Sequence, residues 1–356
     1  MKNNLYAVIM AGGQGTRFWP RSRHKRPKQL LDIVGSESMI QQTVSRISPL
    51  IPEKRIFIVS NEIHVAELKD HIPYIPESNI VVEPVGRNTA PAIGLTSLYI
   101  KRANPDAVLV ILPSDHLVHK EGIFRQTVEK AKLAAEKGDY LITLGMKITS
   151  PETGYGYIRM GNIIRDGLYR VKAFIEKPDK EKAKKFMRNG GHLWNSGIFI
   201  WRADLILRMI KRYLPDLYSG LMKIDRAIGT AREKKLIRSI YSEMESVSVD
   251  FGILERADNV TVIPSDFGWN DVGSWTALDN ILKKGPHGNI EQARHVSIDT
   301  TNTLIYSPRK LIATIGIKDL IIVETEDALL VCHKDKAQDV KKLVDKLKSD
   351  GLEEYL

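Results

Sequence analysis

The stretch IMAGGQGTRFWPRSRHKRPKQLL, residues 9–31, runs from an apolar segment through a glycine turn into a dense set of cations. Arg17, Arg21, Arg23, Lys25, Arg26, Lys28 and His24 crowd into residues 17–28, and no acid follows until Asp32. Just upstream, LYAVIMA reads as a first β-strand. Gly12, Gly13 and Gly15 then supply a backbone without side chains, able to curl its N–H groups around phosphate oxygens. A P-loop needs Gly-Lys-Ser/Thr, and here Gly15 is followed by Thr16 and Arg17. A dinucleotide fingerprint needs a third glycine where Phe18 stands. The plain alternative is a tight surface turn followed by a basic face. Arg17 and Lys28 bracket the segment, Pro20 and Pro27 stiffen it, and a triphosphate carries enough charge to offset the repulsion among the cations.

Working outward, strand-like and helix-like segments alternate. RIFIVS is a second apolar run, and TAPAIGLTSLYIKRA has helical spacing with Asn88 or Thr89 as cap and Pro91 in its first turn. DAVLVILP is nearly continuous in apolar residues, as a strand covered on both faces requires. The helix FRQTVEKAKLAAEKG and the strand YLITLGM follow. The pattern predicts an α/β fold with a mixed, mostly parallel sheet. From about residue 150, YGYIRM and VKAFIEK read as a meander lying over that sheet, GIFIWRADLILRMI turns from strand into helix, and WTALDNILKK reads as a helix.

Gly285, Pro286 and Gly288 mark a boundary, so residues 1–285 and 286–356 are the expected domains. Beyond it TLIYS, LIATIG, LIIVE and ALLVC recur too closely for intervening helices, which suits a small stacked β unit or a coil of β-helix. An amphipathic helix and tail close the sequence and pack on that unit.

Composition bounds the class. The 356 residues suit two domains, and 27% charged with 43% hydrophobic residues is ordinary for a soluble globular protein. The net charge of +10 is compatible with nucleic acid, an acidic membrane surface or phosphorylated small molecules. Much of it lies on Lys-rich helical segments such as DKEKAKKFMRN, read as solvated faces. No apolar run is long enough to span a bilayer. The single Cys332 leaves no internal disulfide or cysteine-rich metal site, and a cytoplasmic location is expected.

The glycine stretch resembles the signature of the sugar-nucleotide pyrophosphorylases, and its Phe-Trp-Pro and Pro-Lys-Gln resemble the mannose 1-phosphate guanylyltransferase branch of that family. EPVGRNTAPAI at 83–93, PSDH at 113–116, TGYGYI at 153–158, EKP at 176–178, WNSGIF at 194–199 and FGWNDVGSW at 267–275 match it in order. The resemblance implies a Rossmann-like nucleotidyltransferase domain followed by a small, left-handed β-helix-like domain. It also implies transfer of GMP from GTP to mannose 1-phosphate, giving GDP-mannose and pyrophosphate by in-line attack without a covalent intermediate. Glucose 1-phosphate with UTP or dTTP is the rival reading, and a basic nucleic-acid-binding protein a remoter one. No nucleic-acid or membrane partner is expected, and the tail is a candidate for homodimerisation.

Candidate site residues follow from chemistry and resemblance together. Asp115 ends an apolar strand, at the sheet edge where open α/β folds place ligands, and Asp271 lies in a Trp/Gly-rich loop. By resemblance these two hold Mg²⁺, a hard cation for which two carboxylates plus phosphate oxygens suffice. Asp266, outside the Trp-x-Asp-x-Gly frame, ranks lower. Arg17 and Lys28 are the expected catalytic cations, and Gly12, Gly13, Gly15 and Thr16 the expected phosphate loop. Glu83 is placed to accept from the guanine ring N–H and amino group, Arg87 to reach base or phosphate, and Asn88 to bind the nucleotide or cap the helix. Gly154, Glu176, Lys177 and Asn195 are carried over as the sugar-phosphate site, with Tyr155, Tyr157 and Trp194 as packing. The DFG tripeptides at 250–252 and 266–268 lack a kinase catalytic loop and read as coincidence. The histidines form no zinc array.

Overall fold

Each long apolar run of the first half becomes a strand buried on both faces. The protein is described by a computed structural model covering residues 4–356. Its strands up to residue 270 are β1 (Leu5–Met10), β2 (Ile56–Asn61), β3 (Ile80–Glu83), β4 (Val108–Pro113), β5 (Leu117–Val118), β6 (Leu141–Met146), β7 (Tyr157–Arg165), β8 (Leu168–Ile175), β9 (His192–Arg202), β10 (Val260–Ser265) and β11 (Trp269–Asn270). Nine of them form one sheet in the order β3-β2-β1-β4-β9-β6-β10-β8-β7. The pairs β3/β2, β2/β1, β1/β4 and β6/β10 are parallel, and those involving β7, β8 and β9 are antiparallel. The meander expected over the sheet is therefore corrected. β7 and β8 extend its edge, and Tyr157 and Ile158 pair directly with Trp194 and Leu193 of β9.

Two compact units divide the chain. The first comprises the described residues through Gly12 together with Thr43–Ser114 and Val118–Trp269; the second is Gly13–Gln42, Asp115–Leu117 and Asn270–Leu356. In the first, Val8, Val59, Leu109 and Ile111 of the sheet share a core with Ile93 and Leu98 of the helix Thr89–Ala103 and Ile206 and Ile210 of the helix Ala203–Tyr213. Apolar residues at helical spacing face the sheet, which is what holds those helices in place. Three of the four parallel pairings converge on β1 and its neighbours, so the C-terminal ends of β1, β2 and β3 lie side by side. That edge carries Gly12, Asn61 and Glu83.

The second unit is built on β12 (Ile290–Ile298), β13 (Leu304–Ile315), β14 (Leu320–Glu324) and β15 (Leu329–His333). β12, β13 and β14 pair in parallel, and β15 returns antiparallel to β14. Ile290, Leu304 and Ile321 stack in one ladder of this β-helix, each almost fully buried. TLIYS and LIATIG turn out to be parts of the single strand β13. The helix Val340–Ser349 closes the unit with Val340, Val344 and Leu347. Phe18, Trp19, Leu31, Ile33, Trp275 and Leu278 belong to the same core, so the boundary expected at 285/286 falls inside this unit. The helix expected over WTALDNILKK is only a 3-10 turn, Trp275–Asn280. Trp275 and Leu278 are both 1% exposed, and side chains three apart eclipse in a 3-10 turn, so the tighter winding buries both.

Candidate active site

In the second unit the glycine loop is shaped around a lysine. Gly15 has φ 63°, a left-handed conformation, and a β-carbon there would lie 2.3 Å from Cβ of Lys28. Both demands exclude a side chain at position 15. Thr16 opens the 3-10 turn Thr16–Phe18, and Gly13 stands in open space. Lys28 is buried, and its Nζ donates to Asp115 Oδ2 at 2.9 Å and to the Asp271 carbonyl at 2.7 Å. One ammonium thus ties the Pro-Lys-Gln segment to the Pro-Ser-Asp-His segment and to the Trp-x-Asp-x-Gly loop. Burial works against ionisation of Asp115, but the Lys28 ammonium, His116 and hydrogen bonds outweigh it and hold the carboxyl below its ordinary pKa. The Asp271 carboxylate accepts from Gly273 N at 3.0 Å, and a β-carbon on Gly273 would lie 2.7 Å from its Oδ2. Gly15, Arg17, Phe18, Lys28, Asp115, His116, Asp271 and Gly273 line one cavity of about 200 Å³.

The cations of the opening stretch do not act as one cradle, which corrects that expectation. Arg21 pairs with Asp32 and stacks 4.4 Å from the Tyr306 ring centre. Arg23 reaches Asp327 at 2.6 Å, Thr325 at 3.3 Å and the Tyr355 carbonyl. The backbone of residues 23–26 closes a tight turn carrying His24, Lys25 and Arg26 on the surface. Only Arg17 and Lys28 of the set line the cavity.

The first unit carries the other candidate residues in two groups. At the ends of β2 and β3, Asn61 Nδ2 donates to the Gly12 carbonyl at 3.2 Å, and a β-carbon on Gly12 would meet Glu83 Oε2 at 3.3 Å. Glu83 is buried, its pKa raised by that burial, and its Oε1 accepts from the Tyr241 hydroxyl. Burial and the Glu83 charge push the Tyr241 phenol well up in turn. Arg87 donates to the Ser242 carbonyl, and the Asn88 side chain accepts from Thr89 N at 2.9 Å, the cap of the helix Thr89–Ala103. The sequence offered no signal for Tyr241, which sits 158 residues from its partner.

The second group gathers Glu176, Lys177, Asn195 and Asp250. Lys177 Nζ donates to Glu176 Oε1 at 2.6 Å. Of the two glycines in TGYGYI, Gly156 makes a close approach: a β-carbon at 156 would lie 2.8 Å from Glu176 Oε2, while one at 154 meets nothing within 4 Å. Asn195 Nδ2 donates to Asp250 Oδ1 at 2.8 Å, and Asn195 Oδ1 accepts from Gly197 N at 3.2 Å. Burial, ahead of the charges of Glu176 and Glu255, pushes Asp250 up to about 6. The DFG at 250–252, set aside as coincidence, therefore places an acid against Asn195. Its one sequence signal was an aspartate between Val249 and Phe251, too common a pattern to single out. Tyr155 packs edge-on to Trp194 and Trp269 at 5.1 and 5.2 Å, and the Tyr157 hydroxyl donates to the Glu152 carbonyl, in line with packing roles.

Among the described residues no group of three or more His, Cys, Asp or Glu side chains could hold a metal, and no helix is long and apolar enough to cross a membrane. Residues 6–285 match the Nucleotidyl transferase family, and residues 293–347 match the MannoseP isomerase/GMP-like beta-helix domain. The chain belongs to the nucleotidyltransferase family. Within it, the chain is 38% identical over 366 residues to mannose-1-phosphate guanylyltransferase of Escherichia coli K12, covering 99% of this chain and 76% of that protein. It is 39% identical to the xanthan biosynthesis protein XanB of Xanthomonas campestris, covering 99% of this chain and 75% of that one. A solved structure from Thermus thermophilus, described as a mannose-1-phosphate geranyltransferase, superposes with a TM-score of 0.88 at 32% identity over 97% of this chain and 99% of that one.

Proposed function

We infer that the chain transfers GMP from GTP to mannose 1-phosphate, forming GDP-mannose and releasing pyrophosphate. The observation that carries the reading is the buried Lys28 joining Asp115 to the Asp271 loop beside Arg17, in a chain of this family. An oxygen of the sugar phosphate attacks the α-phosphorus in line, and the bond to the β-phosphate oxygen breaks. The attacking oxygen is already an anion at neutral pH, so no general base is needed. Catalysis reduces to bringing two polyanions together and neutralising charge as bonding shifts. Arg17 and Lys28 stabilise the departing pyrophosphate, with Gly13, Gly15 and Thr16 offering backbone N–H groups to the phosphates. Gly12, Glu83, Arg87 and Asn88 serve the nucleotide, and Gly154, Glu176, Lys177 and Asn195, with Asp250, serve the sugar phosphate.

The donor set suits magnesium: Asp115 is held ionised, and Asp271 adds a second hard carboxylate. When bound there, Mg²⁺ supplies positive charge to the reacting phosphates. In this reading residues 1–285 carry the chemistry, the enzyme is cytoplasmic with no nucleic-acid or membrane partner, and the tail is the candidate for homodimerisation.

A pyrophosphate-release panel crossing GTP, UTP, dTTP and ATP with mannose 1-phosphate and glucose 1-phosphate tests the reading. Release confined to GTP with mannose 1-phosphate is expected, abolished by chelator and restored by Mg²⁺. Preferential turnover of a glucose 1-phosphate pair would overturn it.

A further inference from the structure

Arg17 does not stand alone beside the cavity. Its Nη1 donates to Gln338 Oε1 at 3.1 Å, and Gln338 Nε2 donates onward to Ser274 Oγ at 3.3 Å. Ser274 is 3% exposed and follows the Asp271–Gly273 segment directly. Gln338 comes from the 3-10 turn Lys334–Asp339 that follows the last β-helix strand, 321 residues from Arg17. That turn is itself anchored. Lys334 Nζ donates to Asp279 at 2.7 Å and to Asn302 at 3.1 Å, and Ala337 and Val340 lie in the apolar core. The loop ahead of Arg21 is fixed from the same side, because Trp19 Nε1 donates to the Tyr355 carbonyl at 2.8 Å and Trp275 Nε1 to the Trp19 carbonyl at 3.1 Å.

We propose that Gln338 is a positioning residue: it holds the Arg17 guanidinium in register with the Asp271 loop, so that the β-helix unit completes the pyrophosphate-binding side of the catalytic machinery. A long arginine side chain samples many rotamers. Its restriction before the reaction lowers the cost of meeting the leaving group. The amide does this through a neutral acceptor, so the positive charge of Arg17 stays available to an anion. Ser274 receives the other end of the same amide, which fixes the acceptor toward Arg17. This inference rests on the assignment of Arg17 to the pyrophosphate.

Full-length Gln338→Ala, Gln338→Glu, Gln338→Lys and Arg17→Ala proteins, with the double Arg17→Ala/Gln338→Ala variant, test it. Kinetics are read in both directions, with thermal unfolding alongside. Gln338→Ala is expected to raise KM for pyrophosphate and so lower kcat/KM for pyrophosphate in the reverse reaction about tenfold, the worth of one charge-assisted hydrogen bond, and to lower forward kcat as well. KM for the sugar phosphate stays unchanged. Gln338→Glu keeps an acceptor for Arg17 but offsets its charge and loses the donor to Ser274, so it restores only part of the loss, whereas Gln338→Lys, which sets a cation against Arg17, is worse than alanine. In the Arg17→Ala background Gln338→Ala adds nothing, since the two act as one unit. If Arg17→Ala is impaired while Gln338→Ala matches wild type in both directions, the positioning role is wrong. If Arg17→Ala itself turns over at the wild-type rate, it is the assignment of Arg17 that fails. A Gln338→Ala loss that follows the melting temperature and touches every KM alike also overturns the proposal.

Discussion

Gly15 is the residue on which the second unit's geometry turns. Replacing it with alanine costs about 1–2 kcal/mol for the left-handed backbone alone, and its methyl group would collide with Lys28. Gly15→Ala is therefore expected to lower both the thermal midpoint and kcat/KM, the latter by about 10²-fold or more, as when a preorganised charge is displaced. Steady-state kinetics on the folded variant check this. Asp250 makes a second prediction. Its pKa is raised from 3.8 to about 6, so the folded state binds more protons than the unfolded state in that interval. Stability then falls as pH rises from 3.8 to about 6 and is flat above. Asp250→Asn keeps an oxygen to accept from Asn195 and removes the titration. The variant should gain roughly 2–3 kcal/mol over wild type at neutral pH and nothing near pH 3, read from urea midpoints at both pH values. At this scale Lys28, Asp115 and Asp271 were legible because each sits in a motif with a definite turn. Tyr241 and Asp250 were not, because side chains buried beside a site leave no spacing pattern of their own.

Among elements, the helix Thr89–Ala103 shows how much local chemistry decides. Asn88 caps it from a backbone of φ 67° and ψ −169°, a region that glycine alone enters without strain. Asn88→Ala should cost about 1 kcal/mol in denaturant unfolding through the lost cap, and Asn88→Gly less, since glycine relieves the backbone strain as it loses the cap. This helix and strands β1, β2, β4 and β6 could be read directly, because continuous apolar runs and capping residues are local signals. The edge strands β7 and β8 could not be assigned to the main sheet. Their burial alternates irregularly, and what places them is pairing with β9 and β10, set by residues far along the chain. WTALDNILKK misled for a related reason: its period suits a helix, and the need to bury Trp275 with Leu278 prevails.

For the whole molecule, the β-helix region is not a detachable appendage. Phe18, Trp19 and Trp275 share a core with Leu304, Ile321 and Val340, and the Phe18 and Trp275 rings lie 5.0 Å apart. A chain cut after residue 285 leaves those aromatics without cover. It is expected to show no pyrophosphate release and to be cleaved rapidly within residues 13–42 by a protease that spares the full-length protein, as mass spectrometry of limited digests would read out. A truncated chain with normal turnover would show that the shared core is dispensable. Composition and motif order made the two-part plan legible, but the contribution of residues 13–42 to the second part was hidden, because nothing local says that an early loop awaits partners from the last fifth of the chain.

That interleaving bears on how the molecule is made. Residues 13–42 leave the ribosome well before 270–356 exist, and at roughly 5–20 residues per second the interval is on the order of ten seconds or more. Throughout it Phe18 and Trp19 lack the part of their apolar core that Trp275, Leu304, Ile321 and Val340 supply. The flanking Arg17, Arg21, Arg23, Lys25 and Arg26 keep such a nascent segment hydrated and repel a second copy of it, the gatekeeper arrangement that suppresses aggregation. Mutual repulsion, which the ion pairs of Arg21 with Asp32 and of Arg23 with Asp327 offset in the finished fold, is protective while the polypeptide is incomplete.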